Sequence, residues 1–380
     1  MKSNFLKKGF EVELFTGNSN SHIGISDDIQ KVFPEFVKEP DARNIEYITY
    51  PDSDYLELKE YLLAPRRKLR KFLEGKGLTI LPSSSLCFKG SEKFQRSDLK
   101  NEYHNFIEEK YGTSIATASV HINIGINNIS KLFAAVRLVR CEACLFLALS
   151  ASSPFLYGLE SGVHSQRWIQ FPKTPAIVPI FRNHQEYAQW IEAKLEEGEM
   201  HNIRHFWSSV RPNGPVRPYQ LDRLELRICD LISNTDLLVA VTALLELRIL
   251  SLFRSPEELD PLKGSELNIA YLASLSDAND ISVAKSSLDA VLKHWKDGRE
   301  IICRDWIQSI LDEVSELAKE MNIFHLLIPL YEVLKSGNQA IVWLELYKQG
   351  ISIEKIMNNY SKIMKDEESF INRTQIAITR

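Results

Sequence analysis

Gly9-Phe10-Glu11-Val12-Glu13-Leu14 decides how this chain is read. Apolar and polar residues alternate through it, the pattern of a strand with one face on a core. Residues two apart in a strand point the same way. Phe10, Val12 and Leu14 therefore share the core side, and Glu11 and Glu13 the polar side. Three later stretches repeat the habit: Asn44-Ile45-Glu46-Tyr47, Ser119-Val120-His121-Ile122-Asn123-Ile124-Gly125 and Arg223-Leu224-Glu225-Leu226-Arg227-Ile228. If all four lie in one sheet, its polar face carries four carboxylates, an imidazole and two guanidiniums. Carboxylates at that density repel one another unless cations hold them together. The pattern points to a Mg²⁺–nucleotide site.

Each motif alone has an ordinary reading. A Glu-x-Glu pair on a strand is commonly a solvated face, and a lone histidine is commonly a hydrogen-bonded structural group. Glu225 with Arg227 reads equally as a surface charge pair. Recurrence over four strands is what raises them. Gly125 falls on the polar face, where a missing side chain gives a ligand room. Arg227 offers a rigid fork for phosphate or carboxylate, and Asp230 is placed to orient a neighbour. Cys141-Glu142-Ala143-Cys144 lies in an apolar helical stretch without a second cysteine pair, so it reads as core. His201 and His205 lack the His-Glu-x-x-His pattern of a zinc protease. No P-loop and no Gly-x-Gly-x-x-Gly after a strand is present, which disfavours those nucleotide folds. Arg66-Arg67-Lys68 with Arg70 and Lys71 reads as a solvated helix face.

The chain has 380 residues, 44% apolar and 25% charged, with a net charge of −4. That balance is ordinary for a globular protein and gives no support for nucleic acid or a membrane surface as partner. Five scattered cysteines imply no disulfide framework, which fits a reducing, cytoplasmic setting. The apolar stretch after Lys7 and Lys8 is broken by Glu11 and Glu13, so no secretory signal is read. The longest apolar run, Leu237 to Phe253, holds Glu246 and Arg248 and is short for a membrane span.

Mixed α and β texture runs to about Phe253. The patterns predict strands over 9–15, 45–50, 78–82, 115–126, 205–211 and 222–229. They predict helices over 26–37, 54–75, 102–111, 128–151, 183–197 and 235–253. Pro65 should kink or end the second helix, and Asn234 or Thr235 should cap the last. Ser152–Ile180 and Arg211–Pro218 are rich in Pro and Gly and read as loops, long enough to be functional. After the Pro256–Pro261 break the periodicity is helical with no strong strand signal. Two regions are expected: a catalytic body over 8–255 and a helical segment over 256–370 packed on it. Met1–Lys7 and about Glu367–Arg380 are expected to fray.

Six stretches, in order, resemble the glutamate–cysteine ligases of the carboxylate–amine ligase group, in the glutamine synthetase superfamily, and most of all the cyanobacterial type. They are Gly9–Glu13, Arg43–Tyr47, Thr117–Gly125, Leu147–Phe155, Ser208–Gly214 and Arg223–Asp230. The resemblance implies an α+β fold: a curved, mainly antiparallel sheet whose concave face holds ATP and two or three Mg²⁺ ions, helices outside it, and a helical C-terminal segment. It implies that Glu11 shares a metal with His121 and Glu225, and that Glu13 shares another with Glu46. A further acid joins Glu46; Glu39 has the better spacing and Asp41 competes.

The implied chemistry follows from charge. The γ-carboxylate of glutamate attacks the γ-phosphate of ATP, and both are anions, so Mg²⁺ and arginines must neutralise and align them. Cysteine then attacks the acyl phosphate to give γ-glutamylcysteine, the opening step of glutathione synthesis. Arg211 and Arg227 are the candidates for phosphate, Arg167 for the glutamate carboxylate, and Asn123 and Ser119 for further substrate contacts. Two other functions compete: a ligase of the same group acting on another acid or amine, and a nucleotide-binding regulator without turnover. On the metal reading, Glu11→Gln and Glu225→Gln should abolish turnover and leave metal-free stability unchanged or slightly raised. Oligomeric state has no signature in the sequence.

Overall fold

The computed structural model describes residues 5–378, and side chains through Ser369. Seven strands form one antiparallel sheet: β1 (Lys8–Gly17), β2 (Val37–Lys38), β3 (Asn44–Ile48), β4 (Thr79–Leu81), β5 (Val120–Gly125), β6 (Val210–Asn213) and β7 (Arg223–Leu226). Their order is β2-β3-β1-β5-β7-β6, with β4 also paired to β1. The register joins the motif strands directly. Glu13 lies opposite Glu46, Glu11 opposite His121, and Glu225 opposite both Asn123 and Arg211. Residues opposite one another across a ladder share a face. Pairing therefore turns four separate alternations into a single polar surface.

The other face is apolar. Phe10, Val12, Leu14, Ile45, Tyr47, Val120, Ile122, Ile124, Leu224 and Leu226 are all buried there. They pack with α3 (Ile129–Ser150) and α4 (Thr235–Arg254), after α1 (Tyr55–Glu74) and α2 (Glu102–Tyr111) in chain order. Each large side chain so buried contributes roughly 1.5–3 kcal/mol. Asn234 caps α4, accepting from the Leu237 N–H at 2.8 Å. Glu246 and Arg248, the charges within this apolar helix, form internal pairs. Glu246 receives Lys8 at 2.9 Å, and Arg248 holds Glu142 at 2.7 Å. Among the described residues no helix is long and apolar enough to cross a membrane.

Beyond residue 255 the chain forms α5 (Ile269–Ser286) against α3, α6 (Cys303–Glu320) against α4, and α7 (Ile353–Ile378) against α1. The apolar residues of α5 and α6 merge into the same core as the sheet, whereas Ile353, Ile356 and Met357 of α7 join a second cluster with Phe15 and Leu81. The segment is not purely helical: Val291–Lys293 and Glu300–Ile302 pair as a short hairpin that the helical periodicity around them hides.

Several expectations are corrected. The strand expected over 205–211 is displaced to Val210–Asn213, preceded by a helical turn at Ile203–His205. It includes Pro212, which a strand tolerates at the sheet edge because nothing beyond it needs the missing N–H. Pro65 neither ends nor splits α1, which runs on to Glu74. The basic stretch on α1 is only partly solvated: Arg66 and Arg70 are buried against Glu368 of α7. That contact, and Glu367 accepting from the Thr235 N–H at 2.7 Å, order the chain past the point where fraying was expected. Leu6 is likewise tied by its N–H to Glu246. Gly125 neighbours Lys7, whose carbonyl accepts from the Gly125 N–H at 2.8 Å. All five cysteines are free and buried, Cys141 and Cys144 within the core.

Candidate active site

The polar face of the sheet floors a cavity of about 820 Å³, walled by α2, the Arg167–Pro172 stretch and the Ile203–Arg217 region. On that floor stand two groups of ligand-type side chains. Glu11, His121 and Glu225 form one, and Glu13, Glu39 and Glu46 the other; within each group the ligand atoms lie within 4.8 Å of one another. Carboxylate and imidazole atoms this close could together hold a divalent cation such as Mg²⁺. The five glutamates and the histidine expected as ligands are thus brought together in the two sets expected. Asp41 is excluded from either. It is buried beneath Arg43, accepting from Nη2 at 2.6 Å and from Nε at 2.8 Å. Glu39, two residues beyond Val37, which lies opposite Glu46, takes the place instead.

Hydrogen bonds orient the first group. Ser119 Oγ donates to Glu13 Oε2 at 2.8 Å and lies 3.2 Å from His121 Nε2. The ring's other nitrogen, Nδ1, lies 3.1 Å from Glu11 and 3.8 Å from Glu225. In the metal-free protein Nδ1–H can donate to Glu11; with Nε2–H given to Ser119 instead, the Nδ1 lone pair would be free for a cation held with Glu11 and Glu225. Asn123 Nδ2 donates to Glu11 at 3.3 Å. Ser119 and Asn123 thus orient the carboxylates of the floor.

The two groups differ electrostatically. Glu225 is fully buried, yet Arg211, Arg227 and His121 outweigh the cost of burial and hold its carboxyl well below the usual range. Glu11 is pushed up by burial and by Glu225, but the bond and charge of His121, with Arg227, bring it below its ordinary value. In the second group nothing compensates fully. Burial, then Glu13, pushes Glu39 up to about 8. Burial, then Glu39, Glu11 and Glu13, places Glu46 well above its usual range. Three carboxylates with too few cations repel one another, and a bound cation would relieve that repulsion.

The arginines are less free than expected. Arg211 gives Nε and Nη2 to Glu225, at 2.7 and 3.2 Å, and Nη1 to the Phe206 carbonyl. Arg227 gives Nη1 to Glu225, while its Nε is buried without a protein partner. Arg167 borders the cavity but is 1% exposed. Its Nη1 and Nη2 donate to the carbonyls of Ile228 and Arg227, at 3.0 and 3.1 Å. A substrate carboxylate held by Arg167 would have to compete with those two bonds. Asp230 braces this corner, accepting from the Ser152 N–H and from the Ser153 and Ser165 hydroxyls. The sequence reading missed Asn213, which donates to Glu225 at 2.6 Å, and Arg217, Tyr103 and Trp207 in the cavity wall. Only the Pro/Gly-rich loop around Arg217 carried a signal.

The profile of glutamate–cysteine ligase family 2 matches residues 7–362. The chain belongs to that family. Among relatives provisionally named glutamate–cysteine ligase 2, the protein of Sorangium cellulosum is 24% identical over 312 residues, 80% of each chain. That of Gloeobacter violaceus is 23% identical over 330 residues, 86% of this chain and 84% of the relative. The match to the Solibacter usitatus protein, 25% identical, spans only 60% of that protein. Two solved structures share the fold at 13% identity. The Francisella tularensis glutamate–cysteine ligase, in complex with AMP, superposes with a TM-score of 0.75 over 96% of this chain and 89% of its own. A bifunctional glutathione synthetase from Pasteurella multocida gives 0.73 over 96% of this chain and 53% of its own.

Proposed function

We propose that this ligase-family protein joins L-glutamate to L-cysteine, with ATP and Mg²⁺, through a γ-glutamyl phosphate. The observation that carries the reading is the pair of three-ligand groups side by side on one cavity floor, flanked by arginines. A single anionic substrate would need one such group. Bringing a carboxylate and a triphosphate together needs more positive charge than side chains alone supply here. Mg²⁺ ions held by Glu11, His121 and Glu225, and by Glu13, Glu39 and Glu46, would supply that charge.

The chain's own groups do the rest. A γ-carboxylate oxygen of glutamate forms a bond to the γ-phosphorus as the bond to the bridging oxygen breaks and ADP leaves. The cysteine amine then forms a bond to the acyl carbon, phosphate leaves, and the ammonium loses its proton. Arg227, with Nε uncommitted, meets the transferred phosphoryl group, and Arg211 fixes Glu225 and adds charge beside it. Arg167 holds the strand end that carries Arg227, and we assign it to positioning. No protein nucleophile is required; alignment and charge supply the acceleration.

The test is ADP release by purified protein with ATP, Mg²⁺ and glutamate, with cysteine or other amines added and products identified by mass. Cysteine-dependent release with γ-glutamylcysteine formed supports the proposal. Release only with another acid or amine moves the protein to a sister ligase. ATP binding without turnover on any of them leaves a regulator.

A further inference from the structure

Seven cationic side chains line the cavity, and most are committed. Lys38, Arg211, Arg223 and Arg227 sit in ion pairs, and Arg167 holds two carbonyls. Arg204 is exposed and lies over the Tyr103 ring. Arg217 is different. It is half-buried, and among the described residues its guanidinium has no hydrogen-bond or ion-pair partner; its Nη1 is buried with none. A charged group stripped of water and given no partner costs stability. Arg227 and Arg211 lie near enough to repel it, which adds to that cost, while Glu225 and Glu11 offset part of it.

Nor is Arg217 loosely placed. Gly214 turns the chain so tightly that an added Cβ would sit 2.1 Å from the Gln220 carbonyl. Val216 and Gln220 bridge, and the Pro218 carbonyl meets His184 Nε2 at 2.7 Å. The loop is tied at its base and at its outer side, so the backbone of Arg217 is fixed at the cavity wall. Charge also divides the cavity. Around Glu11 and Glu225 gather three arginines, 211, 217 and 227, whereas Glu13, Glu39 and Glu46 face a deficit of cations. The arginine-rich end suits a ligand of several adjacent negative charges; the acidic end suits a metal and an ammonium.

Resting on the ligase reading above, we propose that Arg217 is a phosphate-binding residue for the polyphosphate chain of the nucleotide, completing a cradle with Arg211 and Arg227. The buried unpartnered nitrogen is then a group kept, at a cost to the empty protein, for an oxygen that arrives with substrate.

The test pairs binding with stability. Calorimetric titrations use a non-hydrolysable ATP analogue, AMP, inorganic pyrophosphate and L-glutamate, each with Mg²⁺, on the wild type, Arg217→Gln and Arg217→Lys. Arg217→Gln should weaken the ATP analogue and pyrophosphate at least about tenfold, the scale of one lost charge-assisted contact. AMP and glutamate should change less than about twofold, well below that scale, and lysine should restore part of the loss. The empty Arg217→Gln protein should unfold at the same temperature or higher, which a purely structural arginine would not allow. Unchanged binding of the ATP analogue, a loss confined to glutamate, or a marked fall in unfolding temperature overturns the proposal. Wild-type protein that binds pyrophosphate through Arg217 but no ATP analogue would sink the ligase reading and keep the phosphate contact. Binding of neither would overturn both.

Discussion

Glu39→Gln should make the metal-free protein more stable, and increasingly so as pH rises. Glu39 stands with Glu13 and Glu46 on the cavity floor. Burial, then the charges of Glu13 and Glu11, raise its carboxyl from 4.5 to about 8. A folded-state value above the unfolded one means the proton favours folding. The contribution is complete below the unfolded value and is lost as pH rises through the folded one. Each unit corresponds to about 1.4 kcal/mol, so a lone glutamate would lose roughly 4 kcal/mol between those limits. The charge is shared with Glu46, itself raised, so about 2 kcal/mol is expected for Glu39 alone. The glutamine variant cannot ionise and escapes this loss. Denaturant unfolding, followed by circular dichroism in a chelator, should show the two proteins converging near pH 4.5 and the variant ahead by that amount near pH 8. Saturating Mg²⁺ should then stabilise the wild type more than the variant, which keeps only the Glu11, His121 and Glu225 group intact. A variant no more stable than wild type at the upper pH would refute the repulsion argument. Equal stabilisation of both by Mg²⁺ would refute the ligand assignment.

Glu225→Gln should behave in the opposite way, against the sequence expectation of unchanged or raised stability. Glu225 is the buried counter-ion of Arg211 and Arg227, so its loss should cost about 3–5 kcal/mol in unfolding experiments as well as turnover. Glu11→Gln, which meets no arginine in an ion pair, should abolish turnover with a stability change within about 1 kcal/mol. Arg167→Lys should lower kcat and weaken the nucleotide while leaving the KM for glutamate unchanged, since its bonds go to the backbone beneath Arg227; a raised glutamate KM alone would restore the carboxylate role. Asp230→Asn should destabilise the protein by about 1–3 kcal/mol by weakening the three bonds that brace the Ser152–Ser165 corner, read as a lower denaturant midpoint.

The sequence by itself determined which residues share a face and which family the chain resembles. Alternation is local: once Gly9–Leu14 is a strand, Glu11 and Glu13 must point together, and no distant contact can change that. Most helix extents were legible for the same reason, since apolar spacing and an Asn234 cap are written within the element, but the helix expected over 26–37 ends at Val32 and Val37–Lys38 pairs as a strand. Tertiary structure alone decided where the charges go. Spacing favours Glu39 without removing Asp41 as competitor, yet Arg43 takes Asp41 and Glu39 stands beside Glu13 and Glu46. Arg66 resembles a solvated basic residue until Glu368, 302 positions away, covers it. Arg167 resembles a free anion receptor until the carbonyls of residues 227 and 228 claim it. A side chain's direction follows from its own backbone, but its partner is chosen by which remote groups are desolvated beside it. Spacing along the chain carries no record of that choice.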